Sequence, residues 1–302
     1  MARSEKNLNA VFTDTASAIR AKTNTSETIC PLDFADKINS IQTGGGGMKA
    51  YFDAGGKCAY STASSFDGVI NYSDTENVTV FESMFMTCKF LGATPTIDTS
   101  NATNMNQMFM GCSSLRQAKM LDTSKVTSMS SMFNSCEYLE TVAEYNTSNV
   151  KDFSSMFAYD RNIKSAPNFD MKNAINISRM FYSCDRLLGV PLFNTSKVVR
   201  MDNMFGGCSR LQVIPALDAS NVTNLYGIFD YDYEIREIHM TGMKVSFSLI
   251  SCNKMERDAL VEVLNNLATI ESTMTLSLGS TNLAKLSDED KAIATNKGWT
   301  LA

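Results

Sequence analysis

The 302-residue chain has one histidine, one tryptophan and five prolines, and it carries no basic surplus, since 27 lysines and arginines stand against 32 acidic residues. A lone histidine, His239, leaves a Ser-His-Asp or Cys-His arrangement with one candidate base, and no nucleophile motif surrounds it. Without excess cations there is little to neutralise a phosphate backbone or an anionic bilayer, so neither nucleic acid nor membrane insertion is expected. No run of about 18 apolar residues occurs, and the opening Met1 to Leu8 lacks the apolar core of a signal peptide. The expectation is synthesis in the cytoplasm without export by the general secretory route. Cys-x-x-Cys is absent among the eight cysteines, so a zinc site is not expected, and neither is any other metal or cofactor.

What the chain does have is one segment written seven times. Met-Phe stands at Met84-Phe85, Met108-Phe109, Met132-Phe133, Met156-Phe157, Met180-Phe181 and Met204-Phe205, with Ile228-Phe229 as the seventh copy, each step being 24 residues. Asp74, Asp98, Asp122, Asn146, Asp170, Asn194 and Asp218 form a second column, and Leu91, Leu115, Leu139, Ile163, Leu187, Leu211 and Ile235 a third. A fixed period in this range means a solenoid, in which each copy buries its apolar face against its neighbours. Five cysteines, Cys88, Cys112, Cys136, Cys184 and Cys208, share one column, with Asp160 and Asp232 in the other two copies. They read as buried thiols that cap turns, and the methionines as gap-filling core.

Within one copy, Leu115 to Leu121 reads as a short strand ended by the polar turn Asp122-Thr123-Ser124. Met129, Met132, Phe133 and Cys136 then fall at i, i+3, i+4 and i+7, which predicts a short helix. Asn104, Ser128, Asp152, Asn176 and Asn224 precede that segment in five copies and suit N-caps. The pattern Cys-x-x-Leu-x-x-(Val/Ile)-Pro-x-(Leu/Phe)-Asp-x-Ser-Asn-Val-Thr-x-Met-x-x-Met-Phe resembles the BspA-like branch of leucine-rich repeats. The resemblance implies an α/β solenoid of 24-residue coils, with parallel strands lining one face of an arc and short helices on the other.

In chain order, residues 1–43 carry two amphipathic stripes, Leu8, Val11, Phe12, Thr15 and Ile19, then Phe34, Ile38 and Ile41 after Pro31. Two short helices are expected there, too small to be stable alone and so suited to docking or oligomerisation. This stretch resembles an N-terminal module of structural proteins of tailed bacteriophages of Gram-positive hosts. Gly44 to Gly47 form a flexible linker. Residues 48–72 read as an N-terminal cap, 73–238 as the repeats, and 239–302 as a C-terminal cap of longer α/β coils. In that last part Leu260, Val263, Leu264 and Leu267 predict a helix and Met274 to Leu278 a strand. Ser287 to Asp290 predict a capping box, Gly298 a left-handed C-cap, and Trp299 to Leu301 an edge strand.

Candidate binding residues are the outward strand positions that vary between copies: Arg116, Lys119, Glu140, Glu144, Lys164, Asn168 and Gln212. Tyr159, Tyr231 and Tyr233, beside Asp160 and Asp232, form a second set suited to sugar. No catalytic residue is expected, because Asp160 and Asp232 are three coils apart, about 14 Å at strand spacing, and too far to act as one acid pair. Together with the resemblances, these features imply a non-enzymatic virion protein of tail, baseplate or fibre. It would dock to other virion proteins through residues 1–43, form a homo-oligomer, and recognise a host-surface glycan or protein. A purely structural virion part, a tail-associated polysaccharide depolymerase and a bacterial surface adhesin are the alternatives.

Overall fold

The computed structural model describes residue 75, residues 77–89 and residues 91–302. The expectations for residues 1–43, 44–47 and 48–72, and Asp74 of the acidic column, lie outside the described residues.

The polar turn is the local device that begins each coil. The side-chain oxygen of Asp98, Asp122, Asn146, Asp170, Asn194 or Asp218 accepts the backbone N–H two residues on, at 2.8–3.2 Å. This reverses the chain without a long loop. Thr123, Thr147 and Thr195, all buried, donate their hydroxyls to the carbonyl of residue 146, 170 or 218 in the next copy at 2.9–3.1 Å. The turns are therefore stacked as well as closed.

From the turn the chain enters the most continuous ladder of the repeats. Val80, Asn104, Ser128, Asp152, Asn176, Arg200 and Asn224 form parallel bridges, each to the next copy. The ladder at the expected strand position runs in shorter pieces. β1 (Gln117–Ala118) pairs with β2 (Thr141–Val142), and β3 (Val213–Ile214) with β4 (Glu237–Ile238), all parallel. Single bridges join Ala93 to Gln117 and Ser165 to Gly189.

The expected helix between the ladders is not formed. The segment through Met129 and Cys136 is a run of consecutive turns closed by i→i−3 bonds, such as Met132 N–H to the Met129 carbonyl. Alternate N–H groups point to the next copy instead of along a helix. Met129, Ser131, Phe133 and Ser135 donate to the carbonyls of residues 152, 154, 156 and 158. Two residues per copy take left-handed backbone to make this possible, for example Ser131 at φ 56° and Ser135 at 62°, or Gln107 at 57° and Gly111 at 74°. Met and Phe still face inward because two successive turns bring i, i+3 and i+4 to one side much as a helix does. The side chains expected as N-caps do accept backbone N–H groups, Asn104 from residue 106 and Asp152 from residue 154, but as turns that open the run.

Copies are held apart by backbone hydrogen bonds on this side too, so the strand-against-helix spacing difference that would force an arc is absent from the repeats. The core fills the space between the two ladders. Phe85, Phe109, Phe133, Phe157, Phe181, Phe205 and Phe229 form one stack, with successive centroids 5.3–6.3 Å apart and planes within 7° of parallel. Met84, Met108, Met132, Met156, Met180 and Met204 are all fully buried beside it. Each enclosed side chain of this size contributes about 1.5–3 kcal/mol.

Beyond the repeats the coils lengthen and helices enter. They are α1 (Arg257–Asn266), α2 (Gly279–Leu283) and α3 (Asp288–Thr295). A parallel sheet of β5 (Phe247–Ser248), β6 (Met274–Ser277) and β7 (Trp299–Leu301) lies among them, with β6 central. Leu260, Val263 and Leu264 are the buried face of α1. Ser287 and Asp290 form a capping box at α3, and Asp290 also accepts from Nε and Nη2 of Arg257 at 2.6–2.8 Å. Gly298 has φ 88°, and a Cβ there would meet the Ile270 carbonyl at 2.6 Å. The described residues therefore form an α/β protein with short parallel strands, built largely from one repeated unit.

Candidate functional site

Period-24 packing fixes which side chains face outward. Arg116, Lys119, Glu140, Glu144, Lys164, Asn168 and Gln212 are all exposed. Because Gln117 is in register with Thr141, the residues before them lie side by side, and Arg116 Nη1 is 2.9 Å from Glu140 Oε1. The Arg116 guanidinium also lies 5.7 Å from the centroid of the Tyr138 ring. Lys164 and Gln212 continue the column of Arg116 and Glu140, one and three copies beyond Glu140, while Glu144 and Asn168 follow one another in a parallel column. Lys119 stands in a column of its own, otherwise held mostly by proline.

Tyr159, Tyr231 and Tyr233 are exposed, but the carboxylates next to them are not. Asp160 and Asp232 turn inward and are completely buried, so the expected pairing of a tyrosine face with an adjacent acid is not formed. The reason is their column. In copies with cysteine, the thiol donates to a phenylalanine carbonyl in the preceding copy, as from Cys112 to Phe85 and Cys136 to Phe109 at 3.0–3.1 Å. Cys184 and Cys208 do the same toward Phe157 and Phe181. An aspartate at this place inherits the inward direction. Asp160 Oδ1 accepts the Cys136 N–H at 2.7 Å, whereas Asp160 Oδ2 and both Asp232 oxygens have no hydrogen-bond partner among the described residues. Burial pushes the Asp160 carboxyl well above the ordinary range and the Asp232 carboxyl up to about 8, against a smaller opposing pull from nearby backbone N–H groups. Tyr159 packs edge-on against Tyr182, with centroids 5.5 Å apart.

His239 lies between two carboxylates, with Nδ1 2.7 Å from Glu262 and Nε2 3.2 Å from Glu237. The hydrogen bond to Glu262, helped by its charge and by Glu237, outweighs desolvation and raises the imidazole above its usual range. This is an ion-pair cluster. Among the described residues no group of three or more His, Cys, Asp or Glu side chains could hold a metal, and no helix is long and apolar enough to cross a membrane.

The feature that sequence reasoning missed is a shallow pocket of about 360 Å³ lined by Lys164, Arg186, Leu188 and Arg210. Only Lys164 stands among the expected binding residues. Arg186 and Arg210 sit one above the other in the column of Tyr138 and Asn162, and the signal that could have found them is two consecutive arginines in a column that varies elsewhere. Arg186 Nη1 is held at 2.7 Å by Asn162 Oδ1, whose amide is in turn fixed by the Glu137 carbonyl at 2.9 Å.

The family model described as "Mycoplasma protein of unknown function, DUF285" matches residues 57–138, 117–189 and 187–238, together more than half of the chain. The chain belongs to this family. It is thus a BspA-like repeat protein, and the DUF285 matches end where the strict period ends, at Ile238. No curated protein and no solved structure matches the chain. Within the DUF285 region, the columns held by packing (Met, Phe, Cys and Leu) separate rows of variable exposed residues.

Proposed function

We propose that this DUF285 protein is a leucine-rich-repeat solenoid of a tailed-phage virion, docked through residues 1–43 and displaying its repeat surface for host-cell recognition. The observation that carries this reading is the division of labour within each coil. Packing fixes the inward columns, while Arg116, Glu140, Lys164 and Gln212 occupy one exposed column with four different side chains. A surface of this kind offers many weakly specified positions over a rigid support, which suits recognition of a partner better than chemistry in a cleft. The resemblance of residues 1–43 to a phage structural module, with Gly44 to Gly47 behind it, supports a tethered head.

Reversing charge at Arg116, Lys119, Glu140, Glu144 and Lys164 together tests the reading. All five are exposed, so the melting curve should hold while adsorption to host cells is lost. Adsorption equal to that of the parent would remove this face from recognition and favour a purely structural virion part.

A further inference from the structure

The pocket over the fourth to sixth copies carries an unbalanced charge in a chain whose formal net charge is −5. Three carboxylates beside these columns are engaged elsewhere. In the column of Lys164 the preceding acid, Glu140, pairs with Arg116. In the column of Arg210 the following acid, Glu234, pairs with Lys254. Asp185, next to Arg186 in sequence, faces Arg161 at 3.8 Å. Among the described residues, Lys164, Arg186 and Arg210 have no ion-pair partner, and they surround one concavity. Arg186 is moreover pre-set, because Asn162 and the Glu137 carbonyl fix its guanidinium before any ligand arrives. The fourth wall is apolar, Leu188 being 57% exposed.

We propose that this pocket binds an acidic sugar unit of a surface glycan, a deepening that rests on the exposed repeat face being the recognition surface. The two guanidiniums and the ammonium would take the sugar's oxyanion through charge-assisted hydrogen bonds, and the ring's C–H face would lie on Leu188. A continuous polyphosphate fits less well. Lys164, Arg186 and Arg210 are confined to one concavity, and the neighbouring Glu140 and Glu234 are already paired, so the site matches a single oxyanion better than a close run of phosphates. The volume of about 360 Å³ likewise suits a single sugar-sized group and not a duplex.

The test uses the full chain and titrates it by calorimetry with a glucuronic acid oligomer, the same oligomer as its neutral methyl ester, inorganic sulfate, and a single-stranded oligonucleotide of equal charge. The uronate should bind, weakening as salt is raised, while the ester and sulfate bind far less. Affinity should fall roughly tenfold for each guanidinium removed in Arg186→Gln and Arg210→Gln, with unchanged melting curves. Asn162→Ala should cost less, by freeing Arg186 without removing its charge. Equal binding of the ester, or unchanged affinity in the double arginine variant, would overturn the site. Equal binding of sulfate or of the oligonucleotide would overturn its assignment to a sugar. Lys164 is shared with the charge-reversal set above, but neither arginine is and the uronate titration uses the parent chain, so loss of adsorption in that set together with failure of the uronate would leave the recognition surface standing and remove only this pocket.

Discussion

At the residue scale, two aspartates stand where the repeat calls for a thiol. A thiol gives its proton to a carbonyl, and a carboxyl can do so only while protonated. Asp232 is held near 8 by burial against an ordinary value of 3.8, with Asp230 and the Cys208 and Cys252 thiols as its charged or titratable neighbours. Below pH 3.8 the folded and unfolded chains both keep that proton, so the site's contribution is fully present. As pH rises, the unfolded chain ionises first and stability falls, levelling only once the folded carboxyl also ionises near 8. Asp232→Cys, which restores the column, should flatten this slope. Chemical denaturation should give parent and variant similar stability near pH 4, and the variant an advantage on the order of several kcal/mol near pH 9. The column was legible in the sequence, as was the hydrogen-bonding role of its thiols. The inward turn of the acids was not, because an aspartate beside a tyrosine looks exposed until the neighbouring copy encloses it.

At the element scale, the run of turns replaces a helix, and the sequence pattern satisfies both. Met129, Met132, Phe133 and Cys136 reach one face in either structure, so hydrophobic spacing alone does not separate them. Gly111 and Gly207, at one of the two left-handed positions, were the discriminating signal, diluted by serine, threonine or tyrosine at that position elsewhere. Ser183, φ 57°, is one of these strained residues, and among the described residues its side chain makes no hydrogen bond that would be lost. Ser183→Gly should therefore stabilise the fold by about 0.5–1 kcal/mol, the steric relief exceeding the added entropy of the unfolded chain. Urea unfolding would read this directly, and a destabilised variant would mean that the left-handed backbone carries no strain there. The pocket was hidden for a different reason. Lys164, Arg186 and Arg210 are ordinary surface cations in sequence, and only the pairing of Glu140, Glu234 and Asp185 with other partners leaves them unbalanced.

At the scale of the whole molecule, the period and the inward columns could be read from residues alone, because each copy repeats the same constraint. Met156 is the middle of its column and has no solvent contact. Met156→Asp should lower the melting temperature sharply or divide unfolding into two steps, since an unpaired buried charge costs several kcal/mol and interrupts contact between the two halves of the array. A melting curve matching the parent's would show that the column is not enclosed.

The two ladders and the phenylalanine stack also impose a grammar on length. A bond from residue 131 to 154, a bridge from 128 to 152 and a ring at 133 over one at 157 all depend on the same count. Inserting or deleting one residue in a coil breaks all three at once and turns inward columns outward. Loss or gain of one whole unit leaves every remaining bond with a correct partner. A gene of this design can change the reach of its product by unequal recombination between copies, in steps of one coil, while point-sized insertions are removed by selection. The strict spacing from Met84 to Ile228 obeys that rule.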